Sequence, residues 1–438
     1  MRRVLILGLG RATKNVVKYL LQQGIEVYAY EEKLLTEIDP ELRQLVDRRE
    51  IKPCREIEGF DEVITSPGLS EEKDIVRRIR RARVPIIDEI EFTYRHVTGN
   101  IIAVTGTNGK STTTALIAHI IQTSGKNCFL GGNLAPGKPF SSTLLEPRYE
   151  YYAIEISTFQ LERIAKFRPQ VAVITNITAD HLDRHKSIDE YATLKFRIFK
   201  NQSPDDFAVI NYDDARIRGR AQSIRSRVVW FSTESSVDGA YYENSTVFFK
   251  GMPVVKACEI TLPGMHNVGN VMAAVAATSS LGVAPETARA AVKSFPGLPH
   301  RLELVGVIDD VKFINNSMCT NPTAAIASLA AVAGPKVVIL GGQEKNLNAD
   351  LYLDSVMKEA RAAILIGPNK EKIAEYFQGH GYSCYKLVPN MREAVQAARS
   401  LARPGDTILL NPGFASFGDF KDFEERGEVF KDAVRETR

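Results

Sequence analysis

The 438-residue chain has little cysteine, a single tryptophan and almost no net charge. Its five cysteines, Cys54, Cys128, Cys258, Cys319 and Cys384, are odd in number and widely scattered, with no C-x-x-C pair. That argues against a disulfide framework or a structural zinc site and makes a reducing cytoplasm the expected setting. Lys and Arg total 56 against 53 Asp and Glu, a formal charge of +3. A dedicated nucleic-acid binder carries a clear basic excess, so nucleic acid is not an expected partner. No apolar run approaches the roughly 18 residues of a membrane span, so no membrane association is expected. The opening stretch from Val4 to Leu9 is too short for a signal peptide, contains Gly8 and is followed by Arg11 and Lys14. It reads as a buried first strand. Internal repeats and low-complexity segments are absent.

What remains is an ordinary globular composition, 44% hydrophobic and 25% charged. At roughly 150 residues per domain the length suggests three domains. Short apolar runs rich in Val and Ile alternate with stretches of helical length. Strands are expected at Val4–Leu7, Val27–Tyr30, Glu62–Thr65, Ile101–Thr105, Tyr151–Ile156, Val171–Asn176, Phe207–Asn211, Val228–Phe231, Lys336–Leu340, Ala363–Ile366 and Thr407–Leu410. The alternation predicts an α/β protein with mainly parallel sheets covered by helices. Two hairpins interrupt it, one around Lys250-Gly251 and one turning at Asp309-Asp310. Val97-Thr98-Gly99 and the Pro/Gly connector Phe295-Pro296-Gly297-Leu298-Pro299 mark boundaries. The expected domains are 1–97, 98–298 and 299–438.

The strongest chemical signal is Thr105-Gly106-Thr107-Asn108-Gly109-Lys110-Ser111-Thr112, which joins an apolar strand to a helix. Glycines let backbone N–H groups close on phosphate oxygens, and the helix N-terminus adds its positive end. Lys110 would neutralise phosphate charge and the Ser111 hydroxyl suits Mg²⁺. Val104 stands where the general phosphate loop has its first glycine, so the loop is a shorter G-x-x-G-K-S form. A second strand leads into Gly8-Leu9-Gly10-Arg11-Ala12-Thr13, a dinucleotide fingerprint with Thr13 in place of the third glycine. Glu31 and Glu32 end the following strand, about where a ribose-binding acid belongs. NAD, another nucleotide-type ligand and a purely structural turn all remain open for this loop.

The loop from Thr105 to Ser111 resembles the ATP loop of the Mur ligases. Four further segments match that family in order: 155–161, 176–184, 264–270 and Leu298-Pro299-His300-Arg301. The stretch 411–427 resembles the D-glutamate-adding branch of the family. The resemblance covers essentially the whole chain. It implies a Rossmann-like N-terminal domain for a carboxylate substrate, a central ATPase domain, and a C-terminal Rossmann-like domain that binds an amine and closes over ATP. It also implies a monomeric, ATP-dependent carboxylate–amine ligase with Mg²⁺, working through an acyl phosphate on small molecules. The addition of D-glutamate to a UDP-N-acetylmuramoyl-alanine precursor of peptidoglycan is the implied reaction.

Residue by residue, the resemblance assigns catalysis to Lys110, Glu155, His181 and Lys195. Metal ligation falls to Ser111, Glu155, His181 and Lys195. Carbamylation of Lys195 would turn a cation that repels Mg²⁺ into an anion that can hold it. ATP contacts fall to residues 105–112 with Asn267, Asn270, Arg301 and Asn316. Carboxylate-substrate contacts fall to Gly8, Gly10, Arg11, Glu32, Lys33, Asn133 and Gln160. Thr320, Lys345, Ser416 and Phe423 are implied to bind the amine.

Some positions depart from the family pattern. Asn316 and Met318 stand where an acid and a cation are usual, and Arg11, Ala12, Thr13 and Glu32 alter the first loop. A carboxylate at Glu32 would repel a diphosphate unless Arg11 or Lys33 compensates. These changes keep two alternatives open: a paralogue that activates another carboxylate, such as a ring-closing ligase of nickel tetrapyrroles, and a non-catalytic nucleotide-binding subunit. The basic run Arg77, Arg78, Arg80, Arg81 and Arg83 is expected to be a solvated helix face.

Overall fold

The computed structural model describes residues 3–32, 38–55, 57, 59–67, 69, 73–135, 137–178, 187–262, 264–344 and 347–437. The described residues form three sheets. The first has five parallel strands, in the order Ile51–Pro53, Glu26–Tyr30, Arg3–Leu7, Glu62–Thr65, Ile86–Asp88. Its central strand shows why the run of apolar residues is continuous. Val4 and Ile6 enter one core cluster, while Leu5 and Leu7 enter another on the opposite face. Side chains alternate across a strand, so a sheet covered on both faces needs apolar residues at every position.

The second sheet has nine strands. Cys128–Gly132, Tyr151–Glu155, Asn100–Thr105, Val171–Ile174, Phe207–Asn211, Arg227–Ser232 and Gly239–Glu243 run parallel. Thr246–Phe249 and Met252–Lys256 then extend the sheet antiparallel. The expected hairpin at Lys250-Gly251 is present, but Asn244-Ser245 makes a second turn that the sequence reading did not separate. Both residues of that turn have positive φ, 46° and 57°.

The third sheet has six strands, in the order Glu303–Ile308, Val311–Asn315, Thr407–Leu410, Lys336–Leu340, Ala360–Leu365, Tyr385–Leu387. Only the first pair is antiparallel, turning at Asp309-Asp310 as expected. Val337 and Ile339 face one core cluster, and Val338 and Leu340 face the other.

The first two sheets belong to one compact unit, residues 1–261 and 265–295. The third forms the other, residues 262–264 and 296–438. Within the first unit, buried carboxylates fasten the helix Glu89–Tyr94 to the segments at 141 and 165–167. Glu91, fully buried, accepts from the backbone N–H groups of Ala165, Lys166 and Phe167 at 2.8–3.0 Å. Glu89 accepts from the N–H of Ser141, whose hydroxyl donates to the Ala12 carbonyl at 2.9 Å. Burial pushes Glu89 up to about 7, against a smaller pull from the Ser141 hydrogen bonds. Asp88, also buried, is pushed well up for the same reason.

The helix Asp74–Arg81 buries Ile75, Val76 and Ile79 and leaves Arg77, Arg78, Arg80, Arg81 and Arg83 exposed, as expected of a solvated face. No helix among the described residues is long and apolar enough to cross a membrane.

Candidate active site

The strand Asn100–Thr105 ends in the glycine loop, and the helix Lys110–Thr123 begins where the loop closes. Gly106 and Gly109 have positive φ, 145° and 81°. A Cβ on Gly106 would stand 1.9 Å from Thr175 Oγ1, and one on Gly109 would stand 2.2 Å from Asn270 Oδ1. Both glycines are therefore required by conformation and by space. The loop is fastened to the end of the strand Val171–Ile174. Thr107 N–H donates to the Asn176 carbonyl at 2.9 Å, and Thr175 Oγ1 donates to the Asn108 carbonyl at 2.6 Å. Asn108 and Asn176 exchange two further bonds, at 2.9 and 3.0 Å. Lys110 Nζ folds back to the Thr107 carbonyl at 2.9 Å.

Glu155 stands at the carboxyl end of its strand, beside the loop, and is 3% exposed. One carboxylate oxygen accepts from Ser111 Oγ at 2.6 Å, and the other accepts from Asn133 Nδ2 at 2.8 Å. No cation among the described residues forms an ion pair with it. A buried carboxylate beside a hydroxyl, with no ion pair among the described residues, is a suitable oxygen donor set for a hard divalent cation. Thr105 Oγ1, buried at the start of the loop, has no hydrogen-bond partner among the described residues. Lys195, 2% exposed, donates to the Gly106 carbonyl at 2.6 Å, with its ammonium 4.2 Å from the Tyr191 ring centre.

Asn267 and Asn270 lie on the helix Met265–Ser279. Asn270 Nδ2 donates to Asn267 Oδ1 at 3.0 Å, and Thr113 Oγ1 donates to Asn270 Oδ1 at 3.3 Å. Together with Asn108 and Gly109, Asn270 lines a cleft of about 290 Å³ that also reaches Asn176, Asn211, Asp213 and Thr233. The sequence reading missed the last three. Asn211 ends a parallel strand, and the rule that ligands gather at carboxyl ends could have found it.

The first loop has a different character. Thr13 is buried, donates to the Gly8 carbonyl at 2.8 Å and accepts from Gly10 N–H at 3.1 Å. Its hydroxyl closes the loop where a third glycine would leave the helix bare. Glu31 accepts from Leu9 N–H at 2.6 Å. Glu32 pairs with Lys73, a cation the sequence reading did not consider, while Arg11 is turned to the Gly137 carbonyl. Gly8, Gly10, Glu31, Glu32 and Lys73 line a second cleft, also about 290 Å³.

Two of the expected ligand residues also bond within the fold. Gln160 is 3% exposed, and its Oε1 accepts from Ser157 N–H at 2.9 Å in a capping box. Asn316 is 3% exposed, donates to Asn411 Oδ1 at 2.9 Å and accepts from Leu302 N–H at 3.2 Å. Its amide thus makes one donor and one acceptor bond inside the third sheet's own unit. In the same unit Arg301 is exposed, Ser416 is buried, and Phe423 is half-buried with its ring edge-on to His300. Thr320 is partly exposed. Lys33, His181 and Lys345 lie outside the described residues.

Comparison with known proteins agrees with this geometry. Residues 104–278 match the Mur ligase middle domain, and residues 300–414 match the Mur ligase, glutamate ligase domain. A UDP-N-acetylmuramoylalanine–D-glutamate ligase of Caldanaerobacter subterraneus is 36% identical, with 100% of this chain and 99% of that protein aligned. One from Geobacillus kaustophilus is 36% identical over 100% of this chain and 98% of its own length. The solved structure of UDP-N-acetylmuramate–alanine ligase MurC from Thermotoga maritima shares the fold, with a TM-score of 0.60 at 19% identity and full coverage of both chains. MurF from Acinetobacter baumannii gives a TM-score of 0.59 at 21% identity, covering 79% of each chain. Glycine loop, buried acid, strand order and full-length similarity converge, and the chain belongs to the Mur ligase family.

Proposed function

We propose that this chain is an ATP-dependent amide-forming ligase that adds D-glutamate to UDP-N-acetylmuramoyl-L-alanine in peptidoglycan precursor synthesis. The observation that carries this reading is the shared carboxylate of Glu155. It joins Ser111 of the phosphate loop to Asn133, the residue assigned to the carboxylate substrate. ATP and the substrate carboxylate would thus meet on one buried group. The full-length relatives supply the identity of the substrates.

In the first step a substrate carboxylate oxygen attacks the γ-phosphorus, the β–γ bond breaks and ADP leaves. In the second, the D-glutamate nitrogen attacks the acyl carbon. Phosphate leaves with the carboxylate oxygen, and the amine gives up a proton. Loop N–H groups and Lys110 hold the phosphates in line, and this positioning is the main catalytic contribution a protein makes to phosphoryl transfer. Ser111 and Glu155 would hold Mg²⁺, and His181 with carbamylated Lys195 a second ion; when bound, these ions supply positive charge to phosphate oxygens. Lys195 as an ammonium donates to Gly106 at the same loop, so loss of that cation by carbamylation would open a place for a metal.

The domain at 1–97 takes the nucleotide-sugar carboxylate, 98–298 takes ATP, and 299–438 takes the amine. Release of phosphate from ATP, with the muramoyl-alanine nucleotide and D-glutamate omitted in turn, tests the reading. Release should require both. Release that ignores D-glutamate or the nucleotide would point to the paralogue reading, and no release under any condition would point to the non-catalytic one.

A further inference from the structure

Arg426 is the largest fully buried side chain among the described residues, 1% exposed, on the helix Phe423–Arg435. Buried arginines normally face a carboxylate. This one does not among the described residues. Its Nε donates to Ser317 Oγ at 3.0 Å, one terminal nitrogen to the Ser317 carbonyl at 2.8 Å and the other to the Phe414 carbonyl at 3.1 Å. Burial draws the guanidinium down to about 10, still protonated at neutral pH.

The partners share one feature. Ser317 lies three residues before Thr320, and Phe414 lies two before Ser416. Ser317 Oγ in turn donates to the Phe423 carbonyl at 2.8 Å. Gln343 and Ala415 exchange backbone hydrogen bonds at 2.9 and 3.0 Å, which ties the loop after Lys336–Leu340 to the same segment. The segments that carry Thr320 and Ser416 therefore meet on one guanidinium, and Ser317 ties Phe423 to it.

We propose that Arg426 is the positioning residue of the amine-substrate site. It holds these three segments in register, and its unbalanced positive charge is offset by the carboxylates of the incoming amino acid. This rests on the D-glutamate reading above. It explains how a site can attract a doubly acidic substrate although Met318 has replaced a usual cation.

The test is steady-state kinetics of Arg426→Met, Arg426→Lys and Ser317→Ala, with KM measured separately for ATP, the muramoyl-alanine nucleotide and D-glutamate. Unfolding temperatures are recorded alongside. Wild type must first show D-glutamate-dependent phosphate release; without it the functional reading fails, not this one. Arg426→Met should raise KM for D-glutamate about tenfold or more and leave the other two within about twofold. Arg426→Lys should recover part of that loss, because it restores the charge without the fork. Ser317→Ala keeps the charge, and should raise the same KM severalfold even if an Arg426 variant does not fold. An unchanged D-glutamate KM in Ser317→Ala or in a folded Arg426→Met would overturn the proposal. So would a parallel rise in all three KM values.

Discussion

Two strand–glycine loop–helix junctions lie in the same compact unit, one at Gly8–Gly10 and one at Gly106–Gly109. Their backbones follow one plan, yet the side chains they carry differ. The second loop carries Lys110 at its helix start, with its acid, Glu155, tucked behind and held by a serine and an asparagine. The first presents Glu31 on its own Leu9 N–H and an exposed Glu32–Lys73 pair. A triphosphate carries several negative charges, so a loop that opens its helix on a lysine suits it better than one flanked by two glutamates.

The sharpest break between the loops should be at the lysine. Lys110→Ala is expected to lower ATP turnover about 10²-fold or more with little change in folding, read by phosphate release and circular dichroism. Turnover above a tenth of wild type would show that Lys110 does not serve phosphate. Glycine tolerance should separate the loops next. Gly109→Ala forces a Cβ to within 2.2 Å of Asn270 Oδ1 and strains a positive φ, whereas at Gly10 a Cβ meets nothing within 4 Å. The expected cost is on the order of 1–3 kcal/mol for the first and near zero for the second, read from denaturant melts. Equal costs would remove the packing argument.

The seam between the two regions gives a pH prediction. Glu89 has a folded pKa of about 7, above the ordinary 4.5 for glutamate. Between those values the folded protein binds more protons than the unfolded chain. Stability therefore falls as pH rises from about 4.5 to 7 and levels off above. Glu89→Gln should flatten that slope, seen as an unfolding temperature less dependent on pH. A slope unchanged by the substitution would place the titration elsewhere. The smallest effect is expected at Lys73→Ala, which leaves Glu32 unpaired in the first cleft. KM for the nucleotide substrate should rise a few-fold, and Glu32→Gln should lower it, while KM for ATP stays fixed. A shift in ATP affinity instead would mean that the two clefts are not independent.

Much of this arrangement is legible in the sequence because it is local. Val4 to Leu7 and Ile101 to Thr105 announce buried strands, and the glycines after them announce phosphate-type loops. The strands Ile51–Pro53, Ile86–Asp88, Cys128–Gly132 and Tyr385–Leu387 were not anticipated. They are short, and two contain glycine or proline, so pairing with neighbours rather than propensity makes them strands. Charge partners were harder still. Arg426 follows Glu424 and Glu425 and reads as an exposed helical arginine, and nothing local reveals that it is buried among the 317 and 414 segments. Asn316 stands in a family motif that implies a ligand contact, and nothing local reveals that its amide also bonds Asn411 and Leu302. Lys73 lies 41 residues from Glu32, beyond the reach of any local pattern.

The central claim is that a substrate carboxylate and the γ-phosphate of ATP react where Glu155 joins the two sites. Single-turnover reaction of UDP-N-acetylmuramoyl-L-alanine, labelled with ¹⁸O in its alanyl carboxylate, tests it most directly. Transfer of one ¹⁸O into the released phosphate is the predicted result, and amide product formed with unlabelled phosphate would contradict it.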